Sequence, residues 1–237
     1  MDLIDLDESP SERLVRVGAV GLSDIELVSL LLGSGEADGE ARRAARGLLD
    51  DLGGLSGLPA FEGKRRFDAG PQSSILLAAL ELARRLARTR ITRRRVLDVP
   101  GAVAAYLALR YSSEDQEILG ALFLDTQHRL ISEHELFRGT FSEVSVEPRA
   151  VLKEALLQSA KGILLFHNHP SGDLTPSSDD LVFTRRMVAA ADLVGICLVD
   201  HLILDRDGRW HSILESSLDA DSSIKPKENR DFRRPNG

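Results

Sequence analysis

The apolar positions change their period partway along the chain. Through roughly the first ninety residues they recur at helical spacing. Leu22-Ser23-Asp24-Ile25-Glu26 sets Ser23 and Glu26 at capping-box spacing, runs into the apolar stretch Leu27 to Leu32 and stops at Gly33. A second helix is predicted over Gly39 to Leu52, ending at Gly53-Gly54. A third is predicted over Ser74 to Ala87, where Leu77, Leu80 and Ala83-Arg84 share helical spacing. Between these two, Leu55 to Pro71 is rich in Gly and Pro and reads as turns. A basic run follows, Arg84, Arg85, Arg88, Arg90, Arg93, Arg94 and Arg95, with no acidic residue among them. Such a run is ordinarily a solvated helix face or a linker. The sharper alternative is a stripe that contacts phosphates. Composition changes after it, which marks a boundary between modules.

From Pro100 onward short apolar runs alternate with helical patterns. Pro100 to Leu109 suits a helix with proline in its first turn. Glu117 to Leu124 reads as a buried strand, and Asp125-Thr126-Gln127-His128 turns into a second, Arg129 to Phe137. Pro148 opens a helix through Gln158, and Gly162 to Phe166 is a near-continuous apolar strand. A helix from about Ser178 to Ala191 precedes a strand, Ile196 to Leu204. Asp205-Arg206-Asp207-Gly208 is a turn into a last strand, Arg209 to Leu214. Interleaved elements of this kind predict a mixed α/β domain. After Glu215 the chain is polar with almost no apolar anchors, which predicts a disordered tail over residues 216–237.

Composition narrows the class. At 237 residues, with a hydrophobic fraction of 43% and a charged fraction of 28%, the chain is an ordinary globular one. No apolar run of about eighteen residues occurs, so no membrane association is expected. The acidic start Met1-Asp2-Leu3-Ile4-Asp5 lacks the features of a secretory signal. Cys197 is the only cysteine, which excludes an intrachain disulfide and a cysteine-rich metal cage. Cytoplasmic residence is the simplest expectation. A net charge of −7 argues against a protein that coats nucleic acid by charge alone.

The candidate chemistry lies where the apolar strand Gly162 to Phe166 runs into His167-Asn168-His169-Pro170. In extended chain alternate side chains point the same way, so both imidazoles face one side and Asn168 the other. Pro170 stops the strand and leaves the pair at its C-terminal end. Thr175 to Asp180 then reads as a loop entering a helix, with Ser177 or Ser178 as N-cap and Asp179 and Asp180 in the first turn. Ser177 and Asp180, three apart, share a helix face. A His-x-His pair alone fits histidines satisfied by hydrogen bonds at a strand end. Adding the spaced Ser and Asp shifts the balance. Two histidines and one carboxylate form the protein ligand set of a catalytic Zn2+ with an open position for water.

These residues resemble a known motif. His167-x-His169-Pro170-(x)6-Ser177-x-x-Asp180 is similar to the JAMM (MPN+) metalloprotease signature, and His167-Asn168-His169-Pro170-Ser171-Gly172-Asp173 resembles the RadC form of it. The likeness extends over Leu119 to Asp125, Glu135 to Thr140, Pro148-Arg149 and Val199-Asp200-His201. It implies a JAMM/MPN-type mixed sheet flanked by helices, of the cytidine deaminase-like kind, over residues 99–215. A small all-helical domain would precede it over residues 1–95. It also implies Zn2+ on His167, His169 and Asp180, with Ser177 holding the bound water or the oxyanion. A glutamate is needed as general base, and Glu117, directly before the first core strand, takes that place ahead of its rival Glu135. His128, His134, His201 and His211 have no ligand spacing. His201 is expected as a structural or supporting group, and Trp210 as packing.

The helical region, with Leu22 to Leu27 and Gly53-Gly54-Leu55, resembles the RadC N-terminal region, which holds a helix-hairpin-helix element. In this chain the hairpin turn reads Asp68-Ala69-Gly70-Pro71-Gln72-Ser73-Ser74. An aspartate at the phosphate-facing turn opposes DNA, so DNA is a weakened partner. The leading expectation is a zinc metallopeptidase cleaving an amide or isopeptide bond in a protein or peptide. The alternative is a DNA-associated repair or recombination accessory protein whose zinc domain is structural or acts on a bound protein. A nucleobase deaminase fails, because its Pro-Cys-x-x-Cys pair is missing.

Overall fold

The structure, a computed structural model, describes residues 8–62, 71–111, 114–139, 147–205 and 207–217. The chain divides into two compact units between Ala83 and Arg84. The first is helical. Helix α1 (Pro10–Val17) starts on a capping box formed by Ser9 and Glu12, and α2 (Asp24–Leu32) on the expected box of Ser23 and Glu26. Helix α3 (Gly39–Leu52) is capped by Asp38 and ends on Gly53, whose φ of 75° only glycine adopts without strain. The segment expected as turns forms 3₁₀ helix over Leu55–Glu62. Val28, Leu32, Ala45, Leu48, Leu49, Leu58, Phe61 and Leu76 make this unit's core.

Helix α4 (Pro71–Thr92) is longer at both ends than its apolar pattern predicts. Proline suits a helix's first turn, and arginine is a good helix former, so the basic run continues the helix instead of breaking it. Arg85, Arg88 and Arg90 occupy exposed positions on it. Arg84 is tied to the Leu109 carbonyl and Arg95 to His128. The aspartate of the expected hairpin turn, Asp68, lies outside the described residues, as do residues 218–237 of the expected tail.

The second unit is the mixed α/β domain that the alternating pattern predicts. Its strands are β1 (Ile118–Leu124), β2 (Leu130–Arg138), β3 (Gly162–Asn168), β4 (Cys197–Leu204) and β5 (Trp210–Ser212). They form one sheet in the order β2-β1-β3-β4-β5, antiparallel except for the β3–β4 pair. Its described α-helices are α5 (Pro100–Tyr111), α6 (Pro148–Leu157), α7 (Ser178–Leu193), α8 (Ile213–Ser217) and the end of α4.

Strand alternation sorts the side chains onto two faces. Leu119, Ala121, Phe123, Ile163 and Leu165 pack against Val151 and Ala155 of α6 and Phe183, Met187 and Ala191 of α7. Ile118, Leu122, Leu164, Phe166 and Leu202 pack against Val103, Tyr106 and Leu107 of α5 and Ile91 of α4. Trp210 packs at the margin of this second core.

One expected strand is shorter than the pattern implied. Arg209 to Leu214 pairs only to Ser212, and Ile213–Ser217 turns into α8. The Ser212 hydroxyl accepts the Glu215 N–H at 3.0 Å, so Ser212 acts as a helix cap and the alternation beyond it has no strand to serve. Among the described residues no helix is long and apolar enough to cross a membrane.

Candidate metal centre

Three features bring the candidate ligands together. Strand β3 is central and wholly buried, and its C-terminal end carries His167, with His169 just beyond. Backbone pairing continues past the strand, since His169 N–H donates to the Leu204 carbonyl at 2.8 Å. Helix α7 begins opposite that end with Ser177 as its N-cap, which decides between the two serines. The cap is a full capping box closed by Asp180. The Ser177 hydroxyl donates to Asp180 Oδ2 at 2.7 Å and accepts from the Asp180 N–H at 3.1 Å. One local motif therefore starts the helix and aims its carboxylate at the histidines.

His167 Nε2 and His169 Nε2 lie 2.9 Å apart. Asp180 Oδ1 is 3.3 Å from the first and Oδ2 3.7 Å from the second. The donor atoms of all three residues fall within 4.8 Å of one another, a group that can hold a metal ion. The other nitrogen of each ring is committed elsewhere. His169 Nδ1 meets the Asp173 carbonyl at 2.5 Å, and His167 Nδ1 meets His201 Nε2 at 2.9 Å. A carbonyl only accepts, so His169 donates from Nδ1 and presents an Nε2 lone pair inward. Lone pairs and a carboxylate crowded this closely are held apart by repulsion unless a cation or a proton sits among them. The donor set fits a metal ion on that ground.

Electrostatics agree with the geometry. Burial drives the Asp180 carboxyl upward, but hydrogen bonds from His167, His169 and Ser177 outweigh it and hold the group well below the usual carboxylate range. Burial pulls His169 down, and the Asp180 carboxylate, the Asp173 carbonyl and the charge of Glu117 more than offset it, so it lies above the ordinary imidazole value. His201 is fully buried, and burial together with His167 puts it well below that value, so its ring is neutral.

The two glutamates separate by register. Strands β1 and β3 pair Leu119 with His167, and continuing that register by two residues sets Glu117 opposite His169. By alternation Glu117 shares the face of Leu119 and His167. Glu135 pairs with Gly120, across a bulge in β2, and so belongs to the other face. It is bound there to Arg138 at 2.8 Å.

Two residues to which the sequence pattern assigns no role complete the surroundings. Asn168, only 1% exposed, accepts the Ile118 N–H at 2.7 Å and donates to the Gln116 carbonyl at 3.1 Å. It grips the backbone on both sides of Glu117. An amide that continues the apolar face of Leu164 and Phe166 at the end of a buried strand is the signal that points to it. Thr184, wholly buried on α7, bonds both the Asp180 carbonyl and His201.

A mixed sheet with two histidines at the end of its central strand, faced by a helix-capping aspartate, defines a domain of the JAB type. A model of the RadC-like JAB domain matches residues 97–218, and a model of the UPF0758 N-terminal region matches residues 2–66. The chain belongs to the RadC-like family of UPF0758 proteins. Similar relatives include the UPF0758 protein of Variovorax paradoxus, 41% identical over 214 residues that cover 88% of this chain and 95% of that protein. The UPF0758 protein of Methylibium petroleiphilum is 43% identical over 204 residues, 84% of this chain and 92% of that one. The counterpart in Chloroflexus aggregans is 37% identical over 222 residues, 92% and 96% of the two chains.

Proposed function

We propose that this protein is a zinc-dependent hydrolase that cleaves an amide or isopeptide bond in a protein or peptide. The observation that carries the reading is the buried convergence of His167 Nε2, His169 Nε2 and the Asp180 carboxylate, with both outer ring nitrogens already occupied. Zn2+ held there would activate a water molecule and polarise the scissile carbonyl. Glu117 accepts the proton of the attacking water and delivers it to the leaving amine, acting first as base and then as acid. Its position opposite His169, on the ligand face, suits that role; Glu135, on the other face, does not. Ser177 supplies a hydroxyl beside Asp180 that can turn to the developing oxyanion.

Metal analysis of the purified protein, paired with hydrolysis assays on peptide and isopeptide libraries, tests the reading. The wild type is expected to carry Zn2+ and to lose cleavage on chelation, and His167→Ala to lose both. Glu117→Gln is expected to keep the metal while cleavage falls by roughly 10²–10⁴-fold. A metal-free wild type, or a His167→Ala variant that still cleaves, would sink it.

A further inference from the structure

We infer that His201 and Thr184 are positioning residues for the metal centre. They form a buried hydrogen-bond string that turns the His167 Nε2 lone pair toward the ion and ties that ring to the helix turn bearing Asp180. The inference rests on the metal reading above and deepens it.

The string can be followed proton by proton. Thr184 Oγ1 lies 2.6 Å from the Asp180 carbonyl oxygen, which can only accept, so the single hydroxyl proton of Thr184 points there. His201 Nδ1 lies 2.7 Å from the same hydroxyl and must therefore donate to it. A neutral imidazole has one N–H, so His201 Nε2 is an acceptor, and His167 Nδ1, at 2.9 Å, donates to it. The His167 Nε2 lone pair is then the one left for the centre. His201 cannot itself serve as a further ligand, because its two nitrogens are used within the string.

The environment enforces this order. His201 and Thr184 are 0% exposed and His167 is 1% exposed, so water cannot replace a missing partner. The Phe183 ring stands edge-on to His201 at 6.3 Å and limits its rotation. Thr184 follows Asp180 by one helical turn, so the string joins the β3 ligand to the α7 ligand through side chains that never touch the ion.

The test uses the full-length chain, with Zn2+ affinity measured by competition against a chromogenic chelator. Folding of each metal-free variant is followed separately by thermal unfolding. His201→Leu and Thr184→Val are expected to weaken Zn2+ binding roughly 10–100-fold. His201→Gln, whose amide can accept from His167 and donate to Thr184, and Thr184→Ser should recover most of that loss. If His201→Leu fails to fold, Thr184→Val carries the comparison. Wild-type affinity in the folded variants overturns the inference while the metal reading stands. Equal weakening by the disruptive and the conservative variants also overturns it, since packing alone would then explain the effect. A wild type that takes up no Zn2+ overturns the metal reading, and the inference with it.

Discussion

Asn168 lies between two candidate ligands in sequence yet serves the neighbouring strand. Its side chain faces away from the histidines and holds Gln116 and Ile118, the residues on either side of Glu117. Asn168→Ala strands a buried N–H and removes a donor from the Gln116 carbonyl, a loss of about 2–4 kcal/mol. Urea unfolding of the metal-free protein checks the magnitude. The same variant is expected to retain Zn2+ and to lose hydrolysis, because the ligands stay while Glu117 loses its seat. His169 yields a pH dependence of definite sign. Its folded value is raised above 6.5, chiefly by Asp180 against the opposing effect of burial. In the metal-free protein its contribution is therefore complete below the unfolded value and fades as pH climbs through the raised one. Asp180, held below its ordinary 3.8, stays charged throughout that window. His169→Gln should destabilise the metal-free protein more at about pH 5.5 than at about pH 8.5. Zn2+ affinity should run the other way, rising with pH, since the ion must displace the His169 proton. Stability curves and chelator competition at the two pH values separate these effects.

Among the elements, β1 carries the sharpest packing constraint. A Cβ at Gly120 would lie 2.2 Å from the Phe166 ring across the β1–β3 pair. The β1 backbone and that ring are both fully buried, so Gly120→Ala has no free space to relax into and should cost about 1–3 kcal/mol. Chemical denaturation measures it, and a neutral result would mean that Phe166 has another rotamer open to it. Most elements were legible because their signals are local. The β3 alternation placed His167 and His169 on one side, and the serine-to-acid spacing placed Asp180 in the first turn of α7. Other features depend on pairing between distant strands. The choice between Glu117 and Glu135 turns on the β1–β3 register and on a bulge in β2, neither of which leaves a mark in a single sequence. The roles of Thr184 and Asn168 leave no local mark, because the Thr184 hydroxyl meets His201 on β4 and the Asn168 amide meets the backbone beside Glu117, contacts that only the assembled sheet creates. The end of β5 was misread because a continuing alternation hid the Ser212 cap, although Ser212-Ile213-Leu214-Glu215 has capping-box spacing.

At the scale of the whole molecule the two units have separate cores, and every residue assigned to the metal centre belongs to the second. The candidate ligands converge only in the folded sheet, so Zn2+ should bind the native state in preference to the unfolded chain. Free Zn2+ at about a hundred times the dissociation constant then adds about 2.7 kcal/mol. With about 2–4 °C per kcal/mol for a chain of this size, the metal-dependent unfolding midpoint should rise by roughly 5–10 °C. Leu48→Ala empties a site 2% exposed in the helical core and should lower stability there by about 2–5 kcal/mol. Leu48 shares no partner with the ligands, so the zinc increment should survive that substitution unchanged. His167→Ala should abolish the increment while leaving the helical core as it was. Calorimetry of the three full-length proteins with Zn2+ and with a chelator decides the matter. An increment that persists in His167→Ala would place the responsible metal away from the β3–α7 junction.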